Sequence, residues 1–550
     1  MGWKAALGTC ARIAALTAWA MLAGRAGAAL AGDCRTPDFP ADDCRFNPWA
    51  APLVRAGQTP GVYDVDIHMG FLNVDYFCEV TPEKGVDFVT HEARTPETDV
   101  TRQALALLDG VDRLASLRIR YGVGDIPPEG IRALLPRAGA AAEIVEGRRH
   151  GRWGNPETHA KVFQVGWEGG PYVTVHGSLN LQTVGLACKG NNALRFVERE
   201  PVLYGYFRAL SDAAAAGGGQ GLFPGGQGEA DSSGDFLPAA TVGDVVVRFF
   251  AGRGQGFVGG LSADSARPWP EYINPPVPGG HDPGVADWYD AAIADAAGQL
   301  RQGRDVRLDV AVFEIGQTAY FVDNLRRFVA EGFAGGRTEA RGDAARLATT
   351  RPGNLTVRFL WQFQSGPAAT AATVMPNGPQ TLRQIDPATG NAYQLTFARV
   401  WPRLDASGRA VNPGTASDMH NKFMLLDVPG HEDQRRIYVT SSNLDTPGAG
   451  SGRLWQAGTI LSARPGSGAW SGERARGGNL FAAYARYFEM LWASREGEPG
   501  AGQVAFHEAI SREHLAGKVN WIETAPREHP EAAPGEGVDA FFFPVPRSHP

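Results

Sequence analysis

The chain has 550 residues, 43% of them hydrophobic and 20% charged; this excludes a disordered protein and leaves enough chain for two large cores or three to four average ones. Its formal net charge of −7 supplies no long-range attraction to nucleic acid or anionic membranes, although a local basic cleft on an acidic body stays allowed.

Lys4 and Arg12 precede an apolar run from Ile13 to Ala23, and the small-residue stretches Ala26-Gly27-Ala28 and Ala29-Leu30-Ala31 follow. That order predicts a secretory signal peptide over 1–31, cut after Ala28 or Ala31. The run is about half of the ~20 residues that span a bilayer, and Arg25 closes it, so no permanent anchor is expected. Asp33 before Cys34 argues against a lipid-modified cysteine. Removing the leader takes away Cys10 and leaves Cys34, Cys44, Cys78 and Cys188. In an oxidising compartment these make two disulfides, in one of three pairings that spacing does not settle. No cysteine or histidine cluster has zinc spacing.

Thr101 to Leu114 has helical apolar spacing, Leu117 to Val123 alternates like a strand, Ile131 to Ala138 resumes a helix, and Ala142 to Val145 reads as a short strand. Ala213 to Phe236 is Gly-, Ala- and Ser-rich and reads as a linker. Beyond it, Trp288, Ala292, Ala296 and Leu300 form one helical stripe, Val306 to Ile315 is a mostly apolar strand, a helix points Phe321, Leu325, Phe328 and Val329 inward, and Leu355 to Trp361 is a strand. Helix, strand, helix, strand and then a His-x-Lys triplet thus occurs twice, as in a diverged duplication. Near-continuous apolar strands alternating with helices predict α/β layers with both sheet faces covered. The Pro/Gly-rich stretches Ser265 to Gly284 and Gln364 to Thr415 read as long insertions, candidates for cleft walls.

The chemistry-bearing segments follow. His159-Ala160-Lys161 leads through the alternating strand Tyr172 to Val175 into Gly177-Ser178-Leu179-Asn180. His420-Asn421-Lys422, with Asp427 five residues on, leads through Arg436 to Val439 into Thr440-Ser441-Ser442-Asn443. Residues two apart in a strand share a face, so each His and Lys enter one pocket, and the turn after the next strand returns the Asn to it.

These segments resemble the phospholipase D superfamily, whose signature is HxK, four residues, Asp, and then GSxN after a short strand. The second copy keeps the Asp as Asp427 with Thr440 in the Gly place; the first has Gly166 where the Asp belongs. The resemblance implies two phospholipase D-like α/β/α sandwich domains related by pseudo-two-fold symmetry, over 32–212 and 237–520. The linker is then 213–236, and 521–550, with Phe541-Phe542-Phe543, is a C-terminal tail. It further implies one site built from both halves. His159 is the expected nucleophile and His420 the general acid and base, with Lys161, Lys422, Asn180 and Asn443 on the phosphoryl oxygens. Ser178 and Ser442 are supporting candidates, as is Asp427 as a hydrogen-bond acceptor. Family members often place a Glu beyond each Asn to orient a histidine; Asn191 and Gln456 stand there, amides that hold a ring without a carboxylate's charge.

The expected activity is phosphodiester hydrolysis of phospholipids by an exported monomer, secreted or periplasmic. Transfer to another alcohol and transient contact with a membrane surface remain allowed. Neither a metal nor another cofactor is expected, because the lysines and histidines supply the charge a metal would. The competing readings are an extracellular nuclease of the same superfamily, which needs a basic and aromatic groove, and a degenerate scaffold that binds phosphorylated ligands. Gly254 to Gly259 matches GxGxxG, but a proline-rich stretch follows instead of a helix, so it fails as a dinucleotide site. His68, His91, His150, His176 and His281 show no partner pattern.

Overall fold

Strands that are apolar on both faces need cover on both, and this sets the architecture. The computed structural model describes residues 62–215, 239–252, 285–330, 353–364, 375–411, 419–444, 456–496 and 536–543, apart from short gaps. The leader, Cys34, Cys44, Cys188, the Cys78 side chain, the stretch 265–284 and most of the linker lie outside the described residues.

The first half runs β1 (Val62–Leu72), a small hairpin of Tyr76–Thr81 with Gly85–Thr90, α1 (Val100–Asp109), β2 (Ser116–Gly124), α2 (Pro128–Ala133), β3 (Glu143–Glu146), β4 (Lys161–Trp167), β5 (Tyr172–Gly177), β6 (Asn191–Glu198) and α3 (Val202–Ala215). The second begins with β7 (Ala240–Val242), β8 (Val245–Gly252), α4 (Val285–Arg301), β9 (Val306–Ile315), α5 (Tyr320–Ala330) and β10 (Leu355–Gln364). It continues with β11 (Gln380–Ile385), β12 (Ala392–Arg399), β13 (Lys422–Asp427), β14 (Arg436–Thr440), β15 (Gln456–Ala463) and α6 (Leu480–Ala493), and β16 (Gly537–Phe543) closes the series.

These make two mixed sheets, ordered β16-β6-β5-β4-β1-β2-β3 and β7-β8-β15-β14-β13-β9-β10-β12-β11. In the first, β1, β2 and β3 are parallel while β4, β5 and β6 alternate antiparallel beside β1. The second repeats this with β9, β10 and β12 parallel, and β13, β14 and β15 antiparallel beside β9. The two-domain α/β class expected from the sequence is the one observed.

Trp288, Ala292 and Leu300 of α4 and Phe321 and Leu325 of α5 share one core with Val310, Met424 and Tyr438 of the second sheet. The alternate residues Ala311, Phe423 and Val439 belong instead to the core that holds α6 and the first domain. α3 touches β5 and β6 of its own sheet and β8 of the other, and α6 touches both β13 and β16, so these two helices join the sheets. One buried ion-pair motif recurs at equivalent places. Asp66 on β1 takes Arg118 of β2 at 2.9 Å, and Arg118 also meets Asp212 of α3. Asp309 on β9 takes Arg358 of β10 at 2.7 and 2.8 Å, and Arg358 meets Glu489 of α6 at 2.7 Å.

Three sequence readings shift. By sheet position the partner of Val306–Ile315 is Val62–Leu72, not the strand near Leu117, so the repeat is one element out of step with the one read from apolar pattern. The pattern hid β1 because Asp66 and His68 are polar yet buried, each bonded to a residue from a distant part of the chain. The stretch Gln364 to Thr415 is not simply an insertion, since β11 and β12 lie in it, with Tyr393, Leu395 and Phe397 buried against α5. Gly537–Phe543, within the segment read as a tail, adds a strand to the first sheet. There Arg195 of β6 pairs with buried Asp539 at 2.5 Å, and Phe542 packs on Tyr484 and Tyr487.

Candidate active site

The carboxyl ends of parallel strands are where α/β sheets leave space for ligands, and here two such ends meet. Leu72, the last residue of β1, bridges to Leu181, and Ile315, the last of β9, bridges to Leu444. These bridges set Asn180 and Asn443 beside the strand ends. Lys161 and Lys422 begin β4 and β13 next to the same ends, opposite Met69 and Val312. In each half the Lys Nζ folds back to donate to the carbonyl of the histidine two residues before it, at 2.7 Å for Lys161 and 2.9 Å for Lys422. All six sequence candidates, His159, Lys161, Asn180, His420, Lys422 and Asn443, are buried.

Each imidazole is held by the opposite domain. His420 Nδ1 lies 3.0 Å from Oδ1 of Asn191 and 3.0 Å from the carbonyl of Ser178. His159 Nδ1 lies 3.4 Å from Oε1 of Gln456, and the backbone of Ser441 also bonds this ring. Carbonyl and amide oxygens only accept, so each ring carries its proton on Nδ1 and keeps its lone pair on Nε2. Burial, more than any charge, drives both histidines well below their usual pKa; Lys161 and Lys422 push further, and Lys189 adds to the effect on His420. Both rings are therefore neutral at pH 7. Lys161 is itself driven well below the usual lysine range by burial first, then by Lys422 and Lys189. Lys161 lies within reach of the Lys422 and Lys189 charges, and an anion arriving among them favours its ammonium form.

The supporting residues divide. Ser178 sits under the site, with its Oγ accepting from Asn192 N at 2.9 Å. Its structural counterpart is Ser441, which accepts from Ala457 N at 3.1 Å, and not Ser442, whose Oγ turns to the Asn443 carbonyl at 2.7 Å. The close approach of β6 explains Gly177: a Cβ there would lie 2.3 Å from the Asn192 carbonyl oxygen. Asp427 ends β13, five residues past Lys422 and roughly 17 Å along the strand. It pairs with Arg435 at 2.8 Å and Arg307 at 3.0 Å, away from the histidines. In the first half the charges trade strands. Gly166 lies opposite Asp64, which takes Arg208 and, at 2.8 Å, the Tyr204 hydroxyl, and a Cβ on Gly166 would lie 3.1 Å from that hydroxyl. The missing motif Asp is thus a change in the supporting scaffold.

Sequence reasoning missed Lys189, Glu314 and Phe313. Lys189 adjoins Gly190, which bridges to Met419 beside His420. Glu314 takes the Asn443 amide, and Phe313 lies against His420 with ring centroids 5.3 Å apart. Lys189 could have been found only from its closeness to Asn191; the other two lie on a strand whose apolar neighbours advertise core. His68 and His176 are buried, pushed down to about 3 chiefly by burial; His68 bonds Thr158 beside the nucleophile candidate, and His176 lies against Phe207.

No protein-family model matches the chain, and no curated protein sequence matches it. Among solved structures it is similar to polyphosphate kinase from Porphyromonas gingivalis, at 11% identity and a TM-score of 0.41, over 85% of this chain and 52% of that one. It is also similar to yeast tyrosyl-DNA phosphodiesterase, at 9% identity and 0.34, over 74% and 85% of the two chains. A third is phosphatidylserine synthase from Haemophilus influenzae Rd KW20, at 8% identity and 0.34, over 77% and 82%. The chain spans about half the length of the polyphosphate kinase. With TM-scores this low, the function has to be read from the site's own residues.

Proposed function

We propose that this chain is an exported phosphodiesterase of the phospholipase D superfamily, hydrolysing phospholipids through a phosphohistidine intermediate. The observation that carries the reading is the reciprocal mounting of His159 and His420, each Nδ1 fixed by an amide of the other domain, with Lys161 and Lys422 beside them. Because both halves lie in one chain, a monomer suffices. The leader-like start of the sequence supports export.

In the first step the Nε2 lone pair of His159 attacks phosphorus, a P–N bond forms, and the P–O bond to the leaving alcohol breaks. A neutral nucleophile avoids the repulsion an anionic one meets at a phosphodiester, and burial is what keeps His159 neutral. His420 is also neutral in the empty site, so its proton is taken up as the phosphodiester anion binds beside it, which raises its pKa. Protonated, it keeps Nδ1–H on Asn191 and gives the Nε2 proton to the leaving oxygen. In the second step its free Nε2 takes a proton from water, the water oxygen attacks phosphorus, and the P–N bond breaks. Lys161, Lys422 and the Asn180 amide stabilise the phosphoryl oxygens throughout.

The test is headgroup release from mixed phospholipid vesicles and cleavage of single-stranded DNA by wild type and His159→Ala, with chelator present. Release lost in the variant supports the lipid reading. DNA cleavage lost in the variant, for which Lys189 is an added cation near His420, makes the chain a nuclease. Silence on both substrates rejects both and leaves another phosphodiester substrate or a binding scaffold.

A further inference from the structure

The two site asparagines hold equivalent positions but are engaged in opposite senses. Asn180 accepts the Phe71 N–H through Oδ1 at 3.1 Å. Asn443 instead donates through Nδ2 to Glu314 Oε2 at 2.9 Å, and its Oδ1 is buried with no hydrogen-bond partner among the described residues. Chemistry fixes that orientation, because a flipped amide would set its oxygen against a carboxylate that offers acceptors only. On the His420 side, therefore, the pocket presents a carboxylate and an unsatisfied amide oxygen where the duplication leads one to expect a second donor to phosphate.

The walls differ in the same way. The Phe313 ring centroid lies 5.3 Å from the His420 ring, 5.3 Å from Lys422 Nζ and 6.3 Å from the Phe363 ring. At the place equivalent to Phe313, next to His159, stands Gly70, where a Cβ would lie 3.2 Å from Lys161 Nζ and 3.3 Å from the His159 Cα. The His159 side thus has bare backbone at Gly70 and the Phe71 ring edge-on at 6.4 Å, whereas the His420 side has the Phe313 ring at 5.3 Å together with acceptors.

We propose that Glu314 and Asn443 Oδ1 form the subsite for the leaving alcohol, and that this subsite selects a primary ammonium headgroup of the ethanolamine type. The inference rests on the reading above in which His420 protonates the leaving group. A primary ammonium has N–H donors for both oxygens at once, and its charge is attracted by the aromatic faces. A quaternary ammonium brings the charge but no N–H, so Asn443 Oδ1 stays unsatisfied; a polyol brings donors but no charge for Glu314. A zwitterionic phosphodiester also fits the layout of charge, its phosphate meeting the lysines and its ammonium meeting Glu314.

The experiment compares wild type and Glu314→Gln on dioctanoyl phosphatidylethanolamine, phosphatidylcholine and phosphatidylglycerol, with bis(p-nitrophenyl) phosphate as a phosphodiester that lacks any headgroup. The expected result is a wild-type preference for the ethanolamine ester over the choline ester of about ten-fold in kcat/KM, falling to about two-fold in the variant. On the unaltered chain, free ethanolamine should also inhibit bis(p-nitrophenyl) phosphate hydrolysis more strongly than choline. Equal wild-type rates on the two lipids, or a preference undiminished in Glu314→Gln, overturn the subsite while bis(p-nitrophenyl) phosphate turnover still upholds the phosphodiesterase. No turnover of any of these esters overturns the phosphodiesterase reading and the subsite with it.

Discussion

The Nδ1 atom of His420 lies 3.0 Å from Oδ1 of Asn191, a residue of the other domain, and no carboxylate stands in that place. An aspartate there favours the imidazolium and raises the His420 pKa. Since His420 must be protonated to act as acid, Asn191→Asp should move the basic limb of the kcat/KM profile up by about one unit. Gln456→Glu, which faces His159, should instead move the acidic limb up, because His159 must be neutral to attack. A pH–rate profile of both variants checks this; an exchange of the two limbs reverses the roles of the histidines.

Lys189 bears on both Lys161 and His420. Removing its charge weakens the attraction for a phosphodiester anion, so Lys189→Ala should raise KM about ten-fold, with a smaller change in kcat. Steady-state kinetics at low ionic strength measures it, and a KM that stays at the wild-type value contradicts it.

Asp427 belongs to the scaffold, tied to Arg435 and Arg307 at the far end of β13. Asp427→Asn should cost about 1–2 kcal/mol of stability, since both arginines are partly exposed, and leave kcat/KM within about three-fold. Urea unfolding beside an activity assay separates the two effects; a hundred-fold loss of activity at unchanged stability would put Asp427 in the chemistry.

Four buried histidines, His68, His159, His176 and His420, have folded pKa values below the ordinary 6.5, His68 and His176 at about 3. As pH falls below 6.5 the unfolded chain takes up protons that the folded chain refuses, so their contribution to stability is present above 6.5 and is lost as pH falls. Each proton counts for about 1.4 kcal/mol per pH unit. Glu198, raised to about 7 chiefly by burial while it caps α3, opposes this, since its contribution is present below 4.5 and lost as pH rises through 7. Asp66 and Asp309, raised chiefly by burial, also oppose it toward the acid end. The balance favours the histidines, and the urea midpoint should drop from pH 7 to pH 5; a flat or rising midpoint contradicts this.

What the sequence revealed follows from where each signal was stored. Val306 to Ile315 was readable because an apolar strand covered on both faces is written in its own residues. Val62 to Leu72 was not, because Asp66 and His68 are balanced by Arg118 and Thr158, residues that only folding brings near. The six candidate residues could be picked out because the duplication repeats their order. Glu314 was not, since its meaning depends on which way the Asn443 amide turns, and a sequence does not contain that choice. The pairing of Ser178 with Ser441 could have been read from the spacing to the asparagines.

The most direct test of the account is to trap the covalent intermediate. Bis(p-nitrophenyl) phosphate has a leaving group that departs without a proton, so His420→Ala should still be phosphorylated yet lack the base for the second step. After an alkaline quench, peptide mapping should find the p-nitrophenylphosphoryl group on His159 in His420→Ala, and no adduct in His159→Ala. An adduct on a residue other than His159, or turnover that persists unchanged in His159→Ala, would contradict a single site in which His159 attacks and His420 moves the proton.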